Sequence, residues 1–135
     1  MKLLLFDIDL TLVNTGGSGR SAMTLAFEKL FGMKNGLERV NFAGRTDALI
    51  FKDALRHQGL QWTPKKEDKF KKVYFEYLKS EIKKPNARKH IEPGISALLD
   101  LLGHQPDITL GLLTGNWRRG GRIKLEYFKL FHYFQ

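Results

Sequence analysis

The chain opens with an apolar run that ends in two acids. Residues 3–7 read LLLFD, and the second acid follows at Asp9. An apolar run without alternation predicts a strand buried on both faces, as in a parallel α/β sheet. Ligand sites in such sheets lie at the carboxyl ends of strands. Two carboxylates there predict a site that binds a divalent cation or attacks phosphorus, whereas the simpler alternative is that both acids only begin a turn.

A second apolar run repeats this arrangement near the other end of the chain. Residues 108–113 read ITLGLL, and Thr114-Gly115-Asn116 follows directly. A hydroxyl group and the backbone N–H groups of a glycine-containing turn suit a phosphate oxygen, although an ordinary strand-to-helix turn with a Thr or Asn cap has the same composition. Lys124, in the helical segment that follows, adds a point charge suited to phosphate.

Helical periodicity fills the sequence between the two runs. Apolar residues at spacings of three and four predict helices, and Thr, Pro and Gly residues mark their ends. The predicted helices cover about 18–31, 47–58, 64–82 and 95–103, with a last one starting near Arg118. This order predicts an α/β core interrupted by a helical insertion.

Composition limits the classes of function. The chain has 135 residues and no cysteine, which excludes disulfides, thiolate metal sites and thiol nucleophiles. Its net charge of +9 fits a phosphorylated substrate, together with acidic residues outside this sequence that would balance the charge. The lysines of 65–84 surround an aromatic stripe that faces the core, so we expect a solvated helix face and no nucleic-acid partner.

No apolar run is long enough to span a membrane. The run at the N-terminus is interrupted by acids too early to be a signal peptide. We therefore predict a cytoplasmic protein without a membrane partner. The sequence leaves the oligomeric state open.

Together these segments resemble the haloacid dehalogenase-like (HAD) superfamily. LLLFDIDLTLV is similar to its first motif, LLTGN to its second, and RIKLEYFKLFHYF to the segment that carries its lysine. FAGRTDALI resembles a cap loop of the phosphoglycolate-phosphatase-like branch. The resemblance implies an α/β fold, with a Rossmann-like parallel-sheet core in residues 1–15 and 89–135 and an inserted helical cap in residues 16–88.

The resemblance also implies catalytic roles. Asp7 would be the nucleophile that takes the phosphoryl group. Asp9 would protonate the leaving oxygen and then activate water. Thr11 would support the geometry of the loop, and Lys124 would neutralise charge on the phosphoryl oxygens and on Asp7. Mg²⁺ would be the cofactor, held by the Asp7 carboxylate and the Asp9 backbone carbonyl.

Further residues would hold the substrate. The resemblance assigns the phosphate to Thr114 and to the N–H groups of Gly115 and Asn116, with Ile8 in the same phosphate-binding set. Arg45, in the cap loop, is the candidate that recognises the rest of the substrate, because a guanidinium pairs well with a carboxylate or phosphate. A surface arginine near a helix start is the alternative for this residue.

Three departures from the family pattern stand out. Leu10 replaces the usual Gly after the second Asp, and Asn14 replaces a frequent Asp; both changes look tolerable. The acidic fourth motif, which would complete the Mg²⁺ site, does not occur by Gln135. We therefore expect the N-terminal part of a protein of roughly 200–230 residues, and poor activity from the 135-residue form alone.

The sequence thus predicts a Mg²⁺-dependent phosphatase that hydrolyses a small phosphorylated metabolite through an aspartyl phosphate. A phosphomutase has the same motifs and stays open. A haloacid dehalogenase needs no acid at the second position, so Asp9 argues against it. A non-catalytic basic binding module is the alternative if the chain is naturally this short.

Overall fold

The structure is a computed structural model that describes residues 1–134. Two of its strands lie parallel to each other and form the sheet at which the predicted site residues begin. Strand β1 is Lys2–Phe6 and strand β4 is Ile108–Leu112. They pair in parallel with Phe6 beside Leu112. The Leu113 N–H continues the pairing by donating to the Phe6 carbonyl at 2.8 Å. The residues that follow both strands therefore emerge at the same edge of the sheet.

Five α-helices and a short antiparallel pair complete the described chain. The pair consists of β2 (Val13–Asn14) and β3 (His90–Ile91). The helices are α1 (Ser18–Phe31), α2 (Asp47–His57), α3 (Pro64–Glu81), α4 (Ile95–Gly103) and α5 (Arg118–Tyr127), followed by a 3₁₀ helix at Phe131–Phe134. The predicted helices and the α/β class are confirmed. None of these helices is both long and apolar enough to cross a membrane.

Local capping explains where helices α2 and α3 begin. The Thr63 hydroxyl accepts a hydrogen bond from the Lys66 N–H at 3.1 Å, and Pro64 occupies the first helical position of α3. Thr46 caps α2 in the same way, accepting from the Leu49 N–H at 3.2 Å. These side chains satisfy backbone donors that a helix start leaves without partners.

Two separate hydrophobic clusters hold the elements together. One lies among α1, α2 and α3 and is built on stacked aromatic rings; Phe51 and Phe70 have centroids 4.3 Å apart. The other lies between the parallel strands and the C-terminal helices, with Leu110 and Leu125 among its buried members. The division into a core of residues 1–15 and 89–135 and a cap of 16–88 stays a prediction.

The prediction that β1 is buried on both faces is wrong within residues 1–134. Leu4 packs into the cluster around Leu99 and Leu110. Leu3 and Leu5 point to the opposite face and are 61% and 52% exposed. An apolar run shows that a strand prefers burial, but whether both faces are covered depends on elements elsewhere in the fold.

Leu10 adopts a backbone conformation that favours glycine. Its φ is +63°, in the left-handed region, where a Cβ atom crowds the following carbonyl. Its side chain is 75% exposed and contributes little packing. The residue type is therefore strained at this position of the loop between the two acids and β2.

We predict that Leu10→Gly raises the free energy of unfolding by about 0.5–1 kcal/mol, because it removes this strain while losing little buried surface. Urea denaturation measures the change. Leu10→Ala is the matched control, since it shortens the side chain but keeps the Cβ atom, and it should give no comparable gain. Equal stabilisation by both variants would show that the exposed side chain, and not the backbone, is the source of the cost.

Candidate active site

A cavity of about 530 Å³ opens at the edge where both parallel strands end. It lies between that edge, helices α1 to α3 and the loop before α2. The predicted site residues that line it are Asp7, Asp9, Arg45, Thr114, Gly115, Asn116 and Lys124. The parallel register brings the turns after β1 and β4 together, and α5 returns Lys124 to the same place.

Lys124 is the central cation of this cavity. Only 4% of the residue is exposed. Its ammonium nitrogen, Nζ, lies 3.0 Å from each carboxylate oxygen of Asp9 and 2.7 Å from the side-chain oxygen of Asn116. A buried ammonium is costly unless its charge is paired and its protons are bonded, and this arrangement satisfies both needs.

Asn116 connects the turn after β4 to the second acid. Its amide nitrogen, Nδ2, donates to Asp9 Oδ2 at 2.9 Å and to the Thr114 hydroxyl oxygen at 2.8 Å. The same hydroxyl oxygen accepts from the Asn116 backbone N–H at 3.2 Å. The amide thus fixes the Asp9 carboxylate relative to the turn predicted to hold phosphate.

Asp7 stands apart from this network. It is exposed, and Oδ1 accepts the Ile8 N–H at 2.7 Å. The resemblance implied that Lys124 also neutralises Asp7, but in the structure its hydrogen bonds go to Asp9 and Asn116. The Asp7 carboxylate is therefore free to face a ligand in the cavity.

The oxygens near Asp7 fit a partly hydrated Mg²⁺. Within residues 1–134, neither Asp7 Oδ2 nor the Asp9 backbone carbonyl accepts a hydrogen bond. The same residues contain no group of three or more acidic or histidine side chains that could enclose a metal. Mg²⁺ commonly keeps several waters and takes only one or two carboxylates with substrate oxygens, so this donor set is suitable but sparse.

Two predicted residues lie outside the cavity lining. Ile8 is fully buried, and its N–H is used by Asp7. Thr11 is exposed, and its N–H donates to the Ile8 carbonyl at 3.3 Å, which shapes the loop between the two acids and β2. Their roles in phosphate binding and loop support stay predictions.

Arg45 lines the cavity, but its charge is already paired. Its guanidinium forms a salt bridge with Asp53, which lies in helix α2. Asp53 is buried and also pairs with Arg56 at 2.5 Å. In this arrangement Arg45 stabilises α2. The predicted contact of Arg45 with substrate stays a prediction.

Sequence reasoning missed the role of Asp47. Its N–H donates to the Gly115 carbonyl at 2.9 Å, and its Oδ2 accepts the Trp117 N–H at 2.9 Å. A Cβ atom at Gly115 would lie 2.9 Å from the Thr46 Cα, so the loop before α2 can contact the turn this closely only because residue 115 is glycine. An acid at a helix start looks like an ordinary cap, and no local signal reveals this long-range contact.

Burial raises the pKa of Asp47 from 3.8 to about 6. Lys124 and the Trp117 N–H oppose the shift, whereas the charge of Asp9 adds to it. The residue is 8% exposed, so desolvation of the carboxylate outweighs the attraction to its neighbours.

Tyr74 is a second residue that the sequence did not single out. It lines the cavity, is fully buried, and its hydroxyl has no hydrogen-bond partner within residues 1–134. Burial, followed by the charges of Asp47 and Asp9, raises its pKa well above the ordinary value. The periodic pattern placed Tyr74 in the apolar stripe of α3, and that pattern does not distinguish a ring packed in the core from one whose hydroxyl reaches the site.

The family assignment rests on a sequence profile. Residues 4–135 match the profile of the haloacid dehalogenase-like hydrolases. The chain therefore belongs to this family, and the predicted superfamily is confirmed. No curated protein matches the chain.

Two solved structures share the fold. One is a predicted phosphoglycolate phosphatase from Haemophilus somnus 129PT, with 18% identity, a TM-score of 0.65, and coverage of 100% of this chain and 60% of that one. The other is the putative HAD-hydrolase YfnB from Bacillus subtilis bound to magnesium, with 20% identity, a TM-score of 0.54, and coverage of 99% and 62%. At such identities the likeness establishes the fold, and the chain spans about 60% of the length of both structures.

We predict that Asp47 makes stability depend on pH. The folded-state pKa of about 6 lies above the unfolded value of 3.8, so the folded protein binds the extra proton. The free energy of unfolding should therefore fall as pH rises from about 4 to 6, by about 3 kcal/mol, since each pKa unit is worth about 1.4 kcal/mol. Asp47→Asn keeps an oxygen for the Trp117 N–H but should lose this fall.

Urea denaturation of both proteins between pH 4 and 7 measures the difference. The control is Asp100→Asn, which removes a carboxylate that is 68% exposed and should retain the wild-type dependence. If Asp47→Asn and wild type showed the same slope, the ionised Asp47 carboxylate would not be costly to bury.

Proposed function

We propose that the full-length protein is a Mg²⁺-dependent phosphatase of the phosphoglycolate-phosphatase-like branch. It would hydrolyse a small phosphorylated metabolite through an aspartyl-phosphate intermediate. The observation that carries this proposal is the grouping of Asp7, Asp9, Thr114 and Lys124 around one cavity at the ends of two parallel strands. The family, and the phosphatase to which the chain is similar in fold, support the same chemistry.

The first step forms the intermediate. A carboxylate oxygen of Asp7 attacks phosphorus, and the bond from phosphorus to the ester oxygen breaks. The leaving oxygen takes a proton from Asp9, acting as general acid. Asp7 suits the role of nucleophile because its carboxylate is exposed to the cavity and not tied to Lys124.

Binding of the phosphate would prepare Asp9 for this step. In the structure Lys124 donates to both Asp9 oxygens. A phosphate dianion in the cavity competes for the same ammonium group. Without that contact Asp9 can take a proton from water before the reaction, and it then donates this proton to the leaving oxygen.

The second step restores the enzyme. Asp9, now ionised, takes a proton from water, and the water oxygen attacks phosphorus. The bond from phosphorus to Asp7 breaks, which releases inorganic phosphate and the original carboxylate. Water attacks the same phosphorus that Asp7 attacked, so the acid of the first step is placed to be the base of the second.

Positioning and charge would supply most of the acceleration. We assign the phosphoryl oxygens to the Thr114 hydroxyl, the N–H groups of Gly115 and Asn116, and Lys124. Mg²⁺, when bound by the Asp7 carboxylate and the Asp9 carbonyl, supplies further positive charge to the phosphoryl group. The crystal structure of YfnB, to which the chain is similar in fold, is bound to magnesium.

The remaining assignments follow from the same proposal. The partner is a small phosphorylated substrate, and we propose a cytoplasmic location. Arg45 lines the cavity from the cap side and stays a candidate contact for the part of the substrate beyond phosphate.

Hydrolysis of p-nitrophenyl phosphate by the full-length protein tests the proposal. We expect activity that depends on Mg²⁺ and is lost by about 10⁴-fold or more in Asp7→Asn, because an amide cannot form the acyl phosphate. Asp107→Asn is the control, since this exposed aspartate lies at the opposite end of the same sheet. Retention of wild-type activity by Asp7→Asn would overturn the assignment of the nucleophile.

A further inference from the structure

The cavity extends beyond the residues assigned to phosphate. Its volume of about 530 Å³ is within the range of pockets that hold whole small molecules. Away from Asp7, its wall is formed by α1 and the loop before α2, including Arg20, Met23 and Phe42. This part of the cavity has room for the organic part of a substrate.

Arg20 is exposed in this wall and contacts two neighbouring groups. Its guanidinium carbon lies 4.6 Å from the centroid of the Phe42 ring. One of its nitrogens, Nη2, is 3.4 Å from the Leu37 carbonyl oxygen, a long and therefore weak hydrogen bond. Stacking fixes the plane of a guanidinium but leaves donors at its edge available for a ligand.

Of the cations that line the cavity, Arg20 is the one that has no counter-ion within the described part of the chain. Lys124 pairs with Asp9, and Arg45 pairs with Asp53. Arg20 forms no salt bridge with any acid among residues 1–134. An unpaired guanidinium in a cavity favours a ligand that brings negative charge to it.

We infer that Arg20 binds a second anionic group of the substrate. The inference rests on the proposed function, in which the first anionic group is the phosphate at Asp7. The substrate class is then a phosphate monoester whose organic part ends in a carboxylate or in a second phosphate. Arg20 is a specificity-determining residue, and it takes no part in the chemical steps.

Binding to the full-length Asp7→Asn protein tests this inference without turnover. Isothermal titration calorimetry with Mg²⁺ present would give the Kd of two pairs of probes. Phosphoglycolate is compared with ethyl phosphate, and 1,3-propanediol bisphosphate with propyl phosphate. In at least one pair, we expect the probe with two anionic groups to bind about 10- to 100-fold more tightly than the probe with one. This is the range for one hydrogen-bonded charge pair.

Arg20→Gln in the same background should reduce that ratio of Kd values to near one. Arg20→Lys keeps the charge but not the planar donor pair, so it should restore part of the preference. The control is Arg39→Gln, which removes the same charge from an exposed arginine outside the cavity lining and should keep the full ratio. The pair that shows the preference identifies carboxylate or phosphate as the second group.

The outcomes separate this inference from the proposed function. A ratio near one for both pairs in Asp7→Asn, or an unchanged ratio in Arg20→Gln, would overturn the role of Arg20 even if p-nitrophenyl phosphate is hydrolysed. Conversely, a ratio that depends on Arg20 would support the role even if the wild-type protein failed to hydrolyse p-nitrophenyl phosphate and the proposed function failed.

Discussion

The buried ammonium group of Lys124 is the constraint on which the site depends. A lysine that is 4% exposed needs partners for its charge and its protons, and Asp9 and Asn116 supply them. These partners come from the turns after β1 and β4, so one charge ties together the ends of two parallel strands and a helix. The helix α1 packs closely against the Lys124 side chain, since a Cβ atom at Gly19 would lie 3.3 Å from Lys124 Nζ.

A second contact joins helix α2 to the turn after β4. The backbone and carboxylate of Asp47 bind both sides of the turn at Gly115, and burial raises the pKa of this carboxylate to about 6. The start of α2 therefore contacts the turn that we assign to phosphate. Any movement of the inserted helices away from the sheet would have to break these hydrogen bonds and expose the cavity.

Much of the fold could be predicted because its signals are local. Thr63-Pro64 begins a helix and Gly32 ends one through backbone and side-chain groups within a few residues, and the structure has both boundaries where the sequence put them. The grouping of Asp7 with Thr114 also followed from sequence, because parallel strands bring their carboxyl ends to one edge.

The remainder depends on contacts between distant residues. Leu3 and Leu5 are exposed because covering a sheet face depends on the rest of the fold. Lys124 pairs with Asp9 and not with Asp7, and Arg45 pairs with Asp53. These pairings depend on where the side chains lie in the fold, which hydrophobic periodicity does not predict. In the sequence Arg20 looks like an ordinary surface residue and Tyr74 like an ordinary core residue. Only the structure shows that both line the cavity.

The short pairing of β2 with β3 has a consequence for the order of folding. Strands β1 and β4 are separated by about 100 residues, a long loop to close in a single event. The antiparallel contact of Asn14 with His90 brings the two ends of the helical segment together. Once that segment has collapsed around its aromatic rings, only α4 and its flanking turns separate the two parallel strands. With the ends of the helical segment in contact, the loop that must close to pair β1 with β4 is much shorter, which lowers the entropy cost of forming the sheet.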